Sequence, residues 1–252
     1  MEYFFQTKQL AVGYDGKAVV QNIEASIKKG QILSLIGPNG SGKSTILKSI
    51  MKQLETISGA IYISNTPIEG INSREFSRKA AVVLTERPKP ELMTCYDVVA
   101  VGRYPYTGML GILSEEDREK IDGALRMVNA LDLKDRGFNQ VSDGQLQRIM
   151  LARAICQEPE IILLDEPTSF LDIRYAVEIL DILRQMADVH GVTVIMSLHE
   201  LNYAKRVSDL VMCLKDGFVM RLDTPDVIFE EDIISRLYDL PDGIYSQLFG
   251  SL

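Results

Sequence analysis

Nine consecutive residues, Gly37-Pro38-Asn39-Gly40-Ser41-Gly42-Lys43-Ser44-Thr45, set three glycines ahead of a lysine and two hydroxyls. Glycines so spaced let a backbone curl until successive N–H groups face one way, and a helix starting directly behind them adds the positive end of its dipole. That arrangement suits a phosphate chain. Lys43 supplies a point charge for the β- and γ-phosphates of a nucleotide, and the Ser44 hydroxyl suits a ligand of Mg²⁺. A plain glycine turn before a helix would read the same over so short a stretch, so the flanking elements decide between the two.

A second cluster is Ile161-Ile162-Leu163-Leu164-Asp165-Glu166-Pro167, where an apolar run delivers two adjacent carboxylates. Burying unpaired charge is costly, so packing does not explain them. Asp165 would hold Mg²⁺, through water or directly, and Glu166 would polarise an attacking water as general base.

These residues need elements to hold them. Alternation and turn residues predict strands over 4–12, 19–27 and 31–36, and apolar residues at Ile46, Leu47, Ile50, Met51 and Leu54 predict a helix over 44–54. Strand, glycine-rich loop, helix is the context a phosphate loop requires. Short strands follow at 60–63 and 80–84. The texture then becomes helical, with capping boxes at Thr94 to Asp97 and Ser114 to Asp117, the second opening a face of Ile121, Leu125, Val128 and Leu131. Beyond residue 160 come strand 161–164, helix 175–186, strand 192–196, helix 201–207 and strand 210–214. Strands apolar throughout, separated by amphipathic helices, imply an α/β fold with a mostly parallel sheet covered on both faces. The helical stretch reads as an insertion in one core.

The formal net charge of −8 over 252 residues argues against a broad nucleic-acid-binding face. No run approaches the roughly 18 apolar residues of a membrane-spanning helix, and the first residues lack the pattern of a signal peptide, so a cytoplasmic chain is expected. Cys95, Cys156 and Cys213 are widely spaced and read as reduced, buried thiols.

Between the two chemical clusters lies Val141-Ser142-Asp143-Gly144-Gln145-Leu146-Gln147-Arg148, opening a helix with Met150, Leu151, Ala154 and Ile155. It resembles the L-S-G-G-Q signature of ABC (ATP-binding cassette) ATPases. With Asp165-Glu166-Pro167-Thr168-Ser169 and Leu171-Asp172, the likeness extends over nearly the whole chain. The resemblance implies a P-loop NTPase core from residues 1–85 and 159–252, carrying an N-terminal antiparallel β subdomain, and an inserted α-helical subdomain over 86–158. It implies that Tyr14 stacks on adenine and that His199 contacts the γ-phosphate. Ser142, Gly144 and Gln145 would reach the ATP held by a second copy, in a head-to-tail sandwich with Asp172 at the contact. Motion would pass through the helical lobe to membrane permease subunits that this chain lacks, and indirectly to a substrate-binding protein, leaving the chain peripheral on the inner membrane face. His190 reads only as a helix-end residue.

Two positions depart from the family pattern. Thr85 stands where a Gln usually reaches toward Mg²⁺, which implies a weaker or differently gated metal contact. Asp143 replaces the first glycine of the signature; pointed at a phosphate it would repel, whereas turned outward it favours a helix N-terminus, and the outward orientation is expected.

The run Val98-Val99-Ala100-Val101-Gly102-Arg103-Tyr104-Pro105-Tyr106-Thr107-Gly108 is similar to one found in cassettes of importers for ferric siderophores, haem and cobalamin. Alternatively, Arg103 and the tyrosines simply cap a helix and fill a turn. The expected function is ATP hydrolysis powering import of a ferric siderophore or related metal chelate. The alternatives are a soluble, non-transport ABC ATPase and a weakly hydrolysing regulatory cassette.

Overall fold

The computed structural model describes residues 2–84, 90–108 and 110–249. In chain order the elements are β1 (Phe5–Tyr14), β2 (Lys17–Ile27), β3 (Ile32–Ile36), α1 (Lys43–Ile50), β4 (Thr56–Ile63), β5 (Thr66–Pro67), α2 (Ser73–Lys79), β6 (Ala80–Val83), α3 (Cys95–Ala100), α4 (Glu115–Met127) and α5 (Asp143–Cys156). There follow β7 (Ile161–Leu164), α6 (Ile173–His190), β8 (Thr193–Ser197), α7 (Leu201–Val207), β9 (Leu210–Lys215), β10 (Phe218–Asp223), α8 (Pro225–Ile228), α9 (Glu231–Tyr238) and α10 (Ile244–Phe249). The chain divides into two compact units, residues 1–70 with 193–252, and residues 71–192.

In the first unit the strand order is β5-β4-β1-β2-β10-β9-β3-β8. The β5-β4-β1-β2 part is antiparallel, closed at one end by the two-residue turn Asp15-Gly16, both at positive φ. Such turns match the twist of the strands they join. The other end is parallel: β3 pairs with β8 on one side and β9 on the other. All five residues of β3 are buried, including Ser34, whose hydroxyl accepts one from Ser208 at 2.7 Å. Strands sunk on both faces read as unbroken apolar runs for this reason.

Several boundaries differ from the sequence expectation, α6 among them, expected over 175–186 and found at Ile173–His190; two differences have a local backbone cause. Helix α1 stops at Ile50 rather than 54, because Lys52 takes φ 60° and the N–H groups of Gln53 and Leu54 turn back to the Lys48 carbonyl. Strand β4 starts at Thr56 rather than 60. Gly59 sits at φ 77° against the Gln9 backbone, where a Cβ would lie 2.3 Å from the Gln9 carbonyl oxygen, so a bulge hides the alternation.

In the second unit β6 and β7 pair in parallel, from Ala80↔Ile161 to Val83↔Leu164, and α2 and α5 pack on β6. The capping boxes at Thr94/Asp97 and Ser114/Asp117 are both formed. Leu131 lies outside α4, in a separate 3₁₀ turn at Leu131–Leu133, since Asn129 takes φ 52°. Helix α6 ends at His190 with Gly191 in the left-handed conformation. Cys95, Cys156 and Cys213 are buried and unpaired by disulfides, and burial pushes the last two up to about 12. Among the described residues no helix is long and apolar enough to cross a membrane.

Candidate nucleotide-binding site

Strand β3 ends at Ile36 and delivers Gly37 to the loop. Gly37 takes φ 146°, and a Cβ there would lie 2.1 Å from the Leu214 carbonyl oxygen, so no other residue fits. Gly42, at φ 100°, is the N-cap of α1, and a Cβ on it would meet Val20 at 2.1 Å. Having no side chain, it leaves the first N–H groups of α1 uncapped, and the first turn carries no acid. Asn39 and Gly40 are exposed, Pro38 and Ser44 half-buried, and Thr45 buried.

Lys43 is buried and its ammonium donates to the carbonyls of Gly37 at 2.8 Å and Pro38 at 3.1 Å. The Ser41 hydroxyl is buried with no hydrogen-bond partner among the described residues. A buried lysine at the loop, an orphaned hydroxyl and a helix terminus with no side-chain cap together fit a polyphosphate.

The same unit holds the two outlying residues near this loop. Tyr14, 44% exposed, ends β1 opposite Lys17, two residues before Val19, which with Val20 packs on Gly42. Its ring is therefore free to stack. His199 follows the end of β8, which is in register with β3 through Leu35↔Ser197 and the Leu198 N–H bond to the Leu35 carbonyl at 3.1 Å. It is exposed at the edge where the loop begins.

In the second unit, Asp165 and Glu166 follow the buried strand β7 and are half-buried. Glu166 takes φ 50°, and the Ser169 hydroxyl donates to its carboxylate at 3.0 Å. The carboxylate is thus oriented by the turn that follows it. Asp172 is the N-cap of α6, accepting the Tyr175 N–H at 3.0 Å.

The signature forms the start of α5. Ser142 is its N-cap in a full capping box: the Ser142 hydroxyl accepts the Gln145 N–H at 3.3 Å, and the Gln145 side-chain oxygen accepts the Ser142 N–H at 3.0 Å. Gly144 is buried against the Tyr175 ring, where a Cβ would come within 2.8 Å. Asp143 is exposed in the first turn. Thr85 lies outside the described residues.

The Gly102 to Tyr106 run serves α5 as well. A Cβ at Gly102 would lie 2.4 Å from the Arg153 carbonyl oxygen. Arg103, 3% exposed, donates to the Cys156 carbonyl and pairs with Asp117 at 2.8 Å and Glu158 at 3.0 Å, while the Tyr106 hydroxyl donates to the Gln157 carbonyl at 2.9 Å. These groups cap the C-terminus of α5. The helix-capping alternative thus describes Arg103 and Tyr106, while Tyr104 is 60% exposed. Sequence spacing could not reveal this network, because its partners lie 14 and 55 residues away.

Comparison with known proteins gives the family of the chain. The ABC transporter family model matches residues 20–169. The chain is 35% identical over 234 residues to the iron(3+)-hydroxamate import ATP-binding protein FhuC of Bacillus subtilis, covering 93% of this chain and 87% of that one. Among solved structures, a metal-chelate type ABC transporter in an inward-facing conformation superimposes with TM-score 0.84 at 26% identity, over 95% of this chain and 90% of that one. A dimeric ATP-binding cassette, MJ0796, in a post-hydrolysis state bound to ADP and Pi, gives 0.77 at 29% identity, over 88% and 98%. The chain belongs to the ABC transporter family and is an ATP-binding, ATP-hydrolysing cassette of it.

Proposed function

We propose that two copies of this chain bind two ATP molecules between them and drive a membrane permease that imports a ferric siderophore or related metal chelate. The observation that carries the nucleotide chemistry is the uncapped terminus of α1 beside a buried Lys43 and an unpartnered Ser41 hydroxyl. The loop N–H groups of Gly40 to Thr45 would take the phosphates, Tyr14 the adenine, and Lys43 would exchange two neutral carbonyls for phosphate oxygens. That exchange strengthens as charge grows on the transferred group. Glu166, held by Ser169, would accept a proton from the attacking water, and His199 would steady the γ-phosphate. Ser44 and Asp165 would hold Mg²⁺, which screens the phosphate charge.

The signature completes the site from the second copy. With the capping box closed, the Ser142 hydroxyl still has its own proton to donate, and the Gln145 amide nitrogen still has two. The dimeric cassette with ADP and Pi supports the shared site, and the relative that imports iron(3+)-hydroxamate supports the cargo.

Replacing Glu166 by Gln should stop turnover while leaving ATP bound, and light scattering should then show an ATP-dependent dimer. A variant that stays monomeric in saturating ATP would count against the shared site. For the cargo, uptake of radiolabelled ferric hydroxamate by cells carrying this cassette with its permease should depend on Glu166; undiminished uptake would exclude that role.

A further inference from the structure

The C-terminal end of α5 is tied to β6 by side-chain hydrogen bonds. Carbonyls of a strand alternate between its two edges. Those of Lys79 and Val83 face β7, accepting the N–H groups of Glu160 at 2.8 Å and Asp165 at 3.0 Å. Those of Ala80 and Val82 therefore face the opposite edge, where no further strand is paired among the described residues. Two side chains of α5 and its C-cap meet them: Arg153 donates to the Val82 carbonyl at 3.0 Å, and Gln157 to the Ala80 carbonyl at 2.7 Å and also to that of Ser77.

The spacing explains why helix side chains can replace a strand. Residues four apart on a helix rise about 6 Å, and carbonyls two apart on a strand are separated by about 6.6 Å. The two ladders nearly match. Arg153 is mostly desolvated, which lowers its pKa, and no carboxylate among the described residues is paired with it. Its charge has the Val82 carbonyl as partner, and a charge-assisted bond of this kind is not readily given up. The bonds from Arg103 and Tyr106 and the close approach of Gly102 hold the same helix end.

We propose that Arg153 and Gln157 are positioning residues that fix the axial register of α5 on β6, and thereby place Ser142, Gly144 and Gln145, about 12–22 Å away at the other end of the helix. Neither is among the residues assigned above to the nucleotide. A slip of about 1 Å along the axis is enough to spoil a catalytic alignment. This inference rests on the proposal that the signature completes the ATP site of a second copy.

The test uses the Glu166→Gln chain as parent and measures the ATP concentration for half-maximal dimerisation. ADP affinity of the monomer and the thermal midpoint serve as controls. The double replacement Arg153→Met with Gln157→Met should raise that concentration about tenfold or more, with ADP affinity unchanged within about twofold, and Arg153→Lys should keep part of the parental behaviour. If the double variant does not fold, Gln157→Met and Arg153→Lys decide alone, each expected to cost about threefold. Parental dimerisation in the folded variants, or a parallel loss of ADP affinity, overturns the inference. A parent that fails to dimerise overturns the shared-site proposal instead, and the inference falls with it.

Discussion

The N-termini of α1 and α5 are both read as phosphate contacts, yet they are built in opposite ways. That of α1 has a glycine N-cap at φ 100°, no acid in its first turn and a buried lysine at its first position. That of α5 has a closed capping box and an acid, Asp143, in its first turn. An uncapped terminus is unstable by itself and keeps its N–H groups for a ligand; a boxed one is complete without any. The difference teaches that the loop before α1 is made to be finished by nucleotide, whereas the signature is a finished helix end that offers only its leftover donors. Affinity should accordingly reside in α1, and the response to a second copy in α5.

The sharpest way to break this comparison is at Lys43. With Lys43→Met the phosphates lose a buried counter-charge, and ATP turnover, followed by phosphate release, should fall about 10²- to 10³-fold, as when a preorganised donor is removed. Nucleotide affinity should fall with it. Retained affinity would mean that the open terminus of α1 suffices alone.

A smaller effect is expected at Ser142. The Ser142→Ala chain loses an N-cap, which costs about 1 kcal/mol and lowers the melting midpoint by about 2–4 °C. ADP binding by the monomer should be unchanged, and ATP-driven dimerisation of the Glu166→Gln chain should weaken. Equal weakening of both would erase the distinction between the two termini.

What could be read in the sequence follows the same physics. The boxes at Thr94 and Ser114 are legible because Ser or Thr followed three residues later by Asp has a local meaning. Ser142 with Gln145 carries the same pattern, but its likeness to a signature draws attention to phosphate and away from the cap. The buried run of β3 and the acids after β7 were visible because burial on both faces leaves no polar positions to confuse the pattern. By contrast, the orientation of Glu166 by Ser169, the seat of Gly144 on Tyr175 and the ties from Arg153 to β6 are tertiary facts. An i, i+4 pair of Arg and Gln looks like any solvated helix face until the strand edge beside it is known.

The box on α4 gives a control for capping without nucleotide. Burial works against the charged form of Asp117, but hydrogen bonds from Ser114 and Arg103 outweigh it and hold the pKa at about 2, below the ordinary 3.8. A carboxyl lowered on folding contributes stability above pH 3.8, and that contribution disappears as pH falls from 3.8 toward 2. Discounted for solvent screening, it amounts to about 1 kcal/mol. The Asp117→Asn chain should therefore be less stable than the parent at neutral pH by denaturant titration, and the gap should close in that acid window. A gap that persisted below it would assign the effect to lost packing.

The smallest effect is expected at Asp143, where two opposed contributions can be separated. An exposed acid in a first turn stabilises its helix by about 0.3–1 kcal/mol at low ionic strength, and salt screens it. The Asp143→Asn chain should lose a few tenths of a kcal/mol, less in high salt, with ATP-driven dimerisation changed by less than about twofold. A carboxylate directed at the phosphate would behave in the reverse sense. Its removal would tighten ATP-driven dimerisation about tenfold or more, because like charges at close range are weakly screened once water is excluded. Asp143→Gly, which restores the usual signature, would then tighten it as well. Salt-sensitive loss of stability with unchanged dimerisation would show the acid serving its own helix, leaving Ser142 and Gln145 as the donors that meet the second copy.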